Sequence, residues 1–155
     1  MAVTTPQIDR TFIAPDFTLP AADAGLITRD QARGPKGLLV MFICNHCPYV
    51  MAIIDRLVRD AKEIQSLGIG VVAISSNDVI TYPEDSFENM KRLADQYCFS
   101  FPYAYDESQH VAKAYDAVCT PDFFGFNADM QLQYRGRLDA SGRQPAAPDV
   151  RRELF

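Results

Sequence analysis

The chain has 155 residues, no tryptophan, two histidines and four cysteines. Cysteines this sparse exclude a disulfide scaffold. Basic residues are not in excess: 15 Lys+Arg against 20 Asp+Glu leave a net charge of −5, so neither a nucleic acid nor an anionic membrane is an expected partner. No apolar run approaches the ~20 residues that cross a bilayer; the longest, 37–44, is strand-length. The opening Met1-Ala2-Val3-Thr4-Thr5-Pro6 lacks a basic region followed by an apolar core, so no signal peptide is expected. The cytoplasm is therefore the expected compartment, where thiols stay reduced and a close cysteine pair is more often catalytic or metal-binding than structural. Repeats, low-complexity tracts and nucleotide or flavin motifs are also absent, and no cofactor is expected. What remains is ordinary globular material, 48% apolar and 23% charged. It suffices for one domain over 1–155, burying roughly 68–70% of its unfolded surface.

Strands and helices alternate along it. Ala14-Pro15-Asp16-Phe17-Thr18-Leu19-Pro20 and Leu26-Ile27-Thr28 read as an N-terminal hairpin. Leu38-Leu39-Val40-Met41-Phe42-Ile43 is continuously apolar, as in a strand covered on both faces. From about Asn45 to Leu67, Val50, Ile53, Ile54, Leu57, Val58, Ala61 and Ile64 recur at helical spacing, and Gly68 and Gly70 end the helix. Val71-Val72-Ala73-Ile74 is a second buried strand. Asp85-Ser86-Phe87-Glu88 has capping-box spacing with Asp85 as N-cap, opening a helix that turns Met90, Leu93, Ala94 and Tyr97 inward. A short strand at Phe101–Tyr105 and a helix from Ser108 to Val118 follow. A hairpin through Phe123–Phe126 and Gln131–Arg135 comes next, and a last helical segment opens at Pro148-Asp149. This order predicts an α/β fold with a mixed, mainly parallel sheet flanked by helices. The chain stops at Phe155, two turns into that segment, so a truncated C-terminal helix, or self-association through Val150, Leu154 and Phe155, is expected.

The chemistry centres on Cys44-Asn45-His46-Cys47, where a buried strand turns into a helix. Two cysteines three apart in a first helical turn bring their sulfurs within disulfide reach. First-turn amides lack intrahelical partners and the helix dipole is positive there. Both effects lower the thiol pKa of Cys44, from about 8.5 into the ~3.5–7.5 range of such motifs, and a protonated His46 adds to this. A stabilised thiolate makes the disulfide the better oxidant. Cys44, expected to be the more exposed, attacks; Cys47, one turn further in, resolves the mixed disulfide. Pro48 is tolerated because its missing N–H falls in the unpaired first turn. A structural zinc site needs two further ligands, and only His46, His110, Cys98 and Cys119 remain, without a second Cys-x-x-Cys; no metal site is expected. A c-type haem site is excluded because Pro48, not histidine, follows Cys47.

These residues resemble the thioredoxin superfamily on its peroxiredoxin-like branch, the alkyl hydroperoxide reductase and thiol-specific antioxidant (AhpC/TSA) proteins and the redoxins of cytochrome maturation. The resemblance runs from about Phe12 to Asp139. It covers Ala14-Pro15-Asp16-Phe17-Thr18-Leu19, Val40 through Pro48, a strand–helix insertion from Ile74 to Tyr97, Phe101-Pro102-Tyr103, Val111-Ala112-Lys113-Ala114-Tyr115, and Thr120-Pro121-Asp122-Phe123-Phe124. More narrowly the chain looks like small bacterial thioredoxin family proteins with a Cys-Asn-His-Cys motif, whose chains usually run past the point where this one ends. The resemblance implies a thioredoxin-like three-layer fold with the β-α insertion. It also implies a cis peptide between Thr120 and Pro121 packed against the cysteine pair, with Thr120 and Pro121 receiving the substrate as an added strand. Cys119 would then lie near the pair, as a third redox cysteine or a small buried hydrophobe.

The sequence departs from both parent patterns. A peroxiredoxin carries Thr three residues before its peroxidatic cysteine; here Met41 precedes Cys44 and Cys44 precedes Cys47. Arg56 and Arg135 are the arginines considered for activating a peroxide. A thioredoxin carries Trp just before its first cysteine and a buried Asp six before it; here these are Ile43 and Leu38, so proton transfer from Cys47 must use another group or water.

The expected function is thiol–disulfide exchange by the Cys44/Cys47 couple, with protein or small-molecule thiols and disulfides as partners and an electron-donor protein as the source of reducing equivalents. The alternatives are a thiol-dependent peroxidase with antioxidant activity, and a copper(I)-binding redoxin, since soft thiolates suit that ion. Cys98 is expected to be buried filler and His110 to be solvated. The loop around Tyr82-Pro83-Glu84-Asp85 either borders the site or is simply solvated.

Overall fold

The computed structural model describes residues 11–22, 25–44, 48–76, 86–117 and 122–136. In chain order these form β1 (Thr18–Ala21), β2 (Gly25–Thr28), α1 (Arg29–Ala32), β3 (Gly37–Phe42), α2 (Pro48–Ser66), β4 (Ile69–Ser75), α3 (Phe87–Gln96), β5 (Tyr103–Tyr105), α4 (His110–Ala114), β6 (Asp122–Asn127) and β7 (Leu132–Gly136).

The strands lie side by side in two runs, β2-β1-β5-β4 and β3-β6-β7. The runs meet where the Ile43 N–H donates to Ile74 O at 3.0 Å. At the other end Gly34, just before β3, packs so tightly against Gly70 at the start of β4 that a Cβ on Gly70 would collide with the Ala32 carbonyl. The two strands therefore run the same way. β4 and β5 are also parallel, whereas β1–β2, β1–β5, β3–β6 and β6–β7 are antiparallel. The expected mixed sheet is present, but the expectation of a mainly parallel one is wrong. Only βαβ crossovers enforce parallel pairing, and here hairpins occupy both flanks of the sheet.

Side chains of a strand alternate between faces, and β3 shows why its run is apolar throughout. Leu39, Met41 and Ile43 join α2 residues Val50, Ile53, Ile54, Leu57, Val58, Ala61 and Ile64 on one face. Leu38, Val40 and Phe42 join Phe17, Leu19, Val111, Tyr115, Phe124 and Phe126 on the other. The result is three layers with a core on each side of the sheet. Gly68, in the left-handed region at φ +89°, follows the last turn of α2, where the sequence placed a stop.

Three helices differ from expectation. The N-cap of α3 is Ser86, whose Oγ accepts from the Asn89 N–H at 3.2 Å; Asp85 itself lies outside the described residues. Helix α1 was unforeseen, although Thr28 and Gln31 have capping-box spacing and form that box. Helix α4 is only five residues long, because Gln109 and Asp116 take left-handed φ values of 65° and 59° on either side of it. Cys98 corrects another expectation. It is exposed, not buried, because it sits just past the α3 C-cap at φ 53°, with its N–H donating to Asp95 O. His110 is exposed as expected. Met41, Phe42, Phe123, Phe124 and Phe126 are all core. The Tyr82–Asp85 stretch and the C-terminal segment lie outside the described residues.

Candidate active site

One rim of the sheet gathers the residues that carry chemistry. β3, β4 and β5 run in parallel, so their C-terminal ends share it: Cys44 after β3, Ser75 and Ser76 at β4, and Asp106 after β5. β6 runs opposite to β3 and brings its first residue there, with Asp122 paired to Phe42. β7 runs opposite to β6 and brings Arg135 back to the same end, paired to Phe124.

Cys44, expected to be the more exposed of the pair, is itself 1% exposed; its expected partner Cys47 lies outside the described residues. The reason is local. Ile43 is still tied to Ile74 of β4, so the chain has not yet left the sheet when it reaches Cys44. Helix α2 begins at Pro48, and its dipole places partial positive charge toward the end from which Cys44 approaches. Asn45, His46 and Cys47 lie outside the described residues, as do Cys119, Thr120 and Pro121 with the expected cis peptide. The structure thus places Cys44 alone of the expected site residues.

The rim also holds two buried carboxylates, Asp106 and Asp122. Asp106 is 1% exposed and accepts from Ser76 Oγ at 2.8 Å and from the Ala112 N–H at 3.0 Å. It thereby joins the end of β4 to the first turn of α4, whose amides need an acceptor. Gln109 Nε2 donates to Ser76 O at 2.9 Å and closes the same joint. Ser75 Oγ is buried without a hydrogen-bond partner among the described residues.

Asp122 and Arg135 form a second joint. The Arg135 side chain is 6% exposed and its Nη2 lies 3.4 Å from Asp122 Oδ2, on a side chain that is 2% exposed. The same Nη2 donates to Asp116 O, Nη1 lies 3.8 Å from Asp116 Oδ2, and the guanidinium stacks 4.7 Å over the Phe124 ring. Arg135 is therefore committed to protein groups rather than offered to a peroxide. Arg56, the other arginine considered, donates to Ala52 O one turn back along α2. The sequence did carry a signal for this joint: a charged Asp122 directly abuts the apolar run Phe123-Phe124. Among the described residues no three His, Cys, Asp or Glu side chains gather as they would around a metal ion, and no helix is long and apolar enough to cross a membrane.

The chain is similar to several solved structures. A conserved protein of uncharacterised function from Geobacillus kaustophilus is 42% identical, with a TM-score of 0.87 over 94% of this chain and 80% of that one. A hypothetical protein from Sinorhizobium meliloti is 38% identical, with a TM-score of 0.82 over 94% and 76%. At 21% identity, a thiol-disulfide oxidoreductase from Bacteroides fragilis shares the fold with a TM-score of 0.61 over 80% and 89%. No curated protein matches the chain. The AhpC/TSA family model matches residues 12–135, from the segment that leads into the N-terminal hairpin to the arginine of β7, and the chain belongs to that family.

Proposed function

We propose that the protein is a thiol–disulfide oxidoreductase working through a Cys44/Cys47 couple. The observation that carries this reading is the place of Cys44, at the C-terminal end of the central strand β3 and immediately ahead of the long helix α2 in an AhpC/TSA chain. The Cys44 thiolate attacks one sulfur of a substrate disulfide, forming a mixed disulfide and expelling the first substrate thiolate. Cys47 then attacks the Cys44 sulfur and expels the second. The substrate gains two electrons and the protein is left with a Cys44–Cys47 disulfide, which an external dithiol or donor protein reduces. His46 supports the thiolate, and Thr120 and Pro121 receive the partner. Cys44 is 1% exposed, so exchange requires the rim to open locally around it. The partners are thiols and disulfides of proteins or small molecules, and the working compartment is the cytoplasm.

The family description favours one second reading, a peroxidase in which Cys44 becomes a sulfenic acid and Cys47 condenses with it, releasing water. Met41, in place of threonine, weighs against it, and so does the commitment of Arg135 to Asp116 and Asp122. The test is to feed the protein dithiothreitol together with either insulin disulfides or hydrogen peroxide. The expected result is rapid insulin reduction and slow peroxide consumption. The reverse order of rates makes the protein a peroxidase.

A further inference from the structure

We infer that the ion pair of Asp122 with Arg135 sets how readily the Cys44 thiol ionises: the carboxylate holds the thiol back and the guanidinium limits that effect. The inference rests on the reading that Cys44 is the attacking thiol. Its own support is the place of the two charges. Asp122 is the register partner of Phe42, two residues before Cys44, and register partners share a face of the sheet. Leu38, Val40 and Phe42 face the core that contains Phe124, whereas Leu39, Met41 and Ile43 face α2. The Ile43–Ile74 hydrogen bond keeps the chain in the sheet up to Ile43, so the alternation puts Cys44 on the Phe42 face. Asp122 thus stands on the neighbouring strand of a shared face. Arg135 is one strand further out, on β7, where it is paired to Phe124.

Stability alone does not call for an ion pair here. An apolar pair is often as stabilising, and Arg135 Nε is buried with no hydrogen-bond partner among the described residues, an added cost. What an ion pair supplies and an apolar pair cannot is a field. The Asp122 and Arg135 side chains are 2% and 6% exposed and Cys44 is equally buried, so their charges act on the thiol more strongly than they would through water. The strand order fixes the sign. The carboxylate is on the strand next to β3, so the pair turns its negative end toward Cys44 and opposes a thiolate. The partial positive charge at the start of α2 acts the other way. Asp116, the other carboxylate near Arg135, is exposed and screened by water. Two further titratable groups belong to this face. The Asp106 carboxylate is held by Ser76 and the Ala112 N–H. Burial keeps the Tyr115 phenol protonated, with Arg29 and Asp16 acting on it in opposite senses.

The test follows the initial rate of iodoacetamide alkylation against pH in the reduced full chain, with Cys44 and Cys98 read separately by mass spectrometry. It compares wild type, Asp122→Asn and the double variant Asp122→Asn/Arg135→Met. The midpoint of each rate profile reports ionisation of the thiol, and the plateau reports how often the buried site opens. A merely structural role moves the plateau and leaves the midpoint. Asp122→Asn leaves the guanidinium without its buried counter-charge and is expected to move the Cys44 midpoint to lower pH by at least about half a unit. The double variant strands no charge in the interior, and its midpoint falls between those of Asp122→Asn and wild type. Cys98, exposed past the end of α3, keeps one midpoint throughout. A Cys44 midpoint in Asp122→Asn that stays or rises overturns the inference and leaves the oxidoreductase reading intact. If Asp122→Asn does not fold, the double variant still reads the sign, and a midpoint at or above wild type overturns the inference. A wild-type Cys44 that reacts at no pH overturns the oxidoreductase reading and the inference with it.

Discussion

Cys44→Ser is expected to lose disulfide-reductase activity by at least about a thousandfold, since a hydroxyl has no accessible anion near neutral pH and no sulfur to form the mixed disulfide. The loss should occur in a folded protein. Serine is close to cysteine in size, and the Ile43–Ile74 hydrogen bond that holds the end of β3 is made by the backbone. The melting temperature checks that the variant is folded. Cys98→Ser serves as the control. Cys98 is exposed past the end of α3, before the start of β5 and so away from the rim that holds Cys44, and its replacement should leave turnover as it was. Insulin turnover with dithiothreitol reads both variants. Substantial activity in Cys44→Ser refutes the role assigned to Cys44.

Tyr115→Ala is expected to be the most destabilising single change, at about 3–5 kcal/mol. Tyr115 is 1% exposed and its ring meets those of Phe12, Phe42, Phe124 and Phe126 at centroid distances of 6.3, 5.6, 5.9 and 5.9 Å. These rings come from the N-terminal segment, β3 and β6, so one side chain joins the end of α4 to two strands and the entry of the chain. The hydroxyl adds a separate link by donating to Pro15 O at 2.7 Å. Tyr115→Phe keeps the ring contacts and loses only that bond, which should cost about 1 kcal/mol. Burial pushes the Tyr115 phenol well above its usual value, with Arg29 opposing and Asp16 adding to the shift. The folded protein keeps the proton that the unfolded chain releases from pH ~10 upward. The phenol's contribution is therefore complete below that pH and is lost as the pH rises above it. Denaturant titration of both variants at neutral pH checks the order of the two losses. A Tyr115→Ala cost no larger than that of Tyr115→Phe would show that the aromatic cluster holds nothing together.

How much of this was legible in the sequence depends on the range of the interaction. The β3 strand and the α2 stripe were, because each is periodic and each buries what its period selects: Leu39, Met41 and Ile43 against Val50, Ile53 and Leu57. The N-terminal and C-terminal hairpins were legible from their turn residues. The ends of α3 and α4 were not, because capping depends on φ at single residues such as Asp116, and composition does not set it. The predominance of antiparallel pairing was missed because strand order across the sheet is decided by partners far apart in sequence. Within the site, the motif identified Cys44 but not its depth. That depth follows from β4 reaching as far as Ile74 alongside it, a long-range fact. The Asp122–Arg135–Asp116 joint spans 19 residues from Asp116 to Arg135 and left no local pattern beyond a charge at the edge of an apolar run.

The proposed chemistry requires that Cys44 and Cys47 form one redox couple. A redox-buffer titration, with thiols alkylated at each potential and located by mass spectrometry, measures this directly. The predicted result is that both cysteines change together as a single two-electron couple, at a potential above the thioredoxin value of about −270 mV and toward the roughly −120 mV of strong oxidants. A couple at or below about −270 mV would contradict the stabilised thiolate. Pairing of Cys44 with Cys119, or with added thiol alone, would contradict the Cys44/Cys47 mechanism itself.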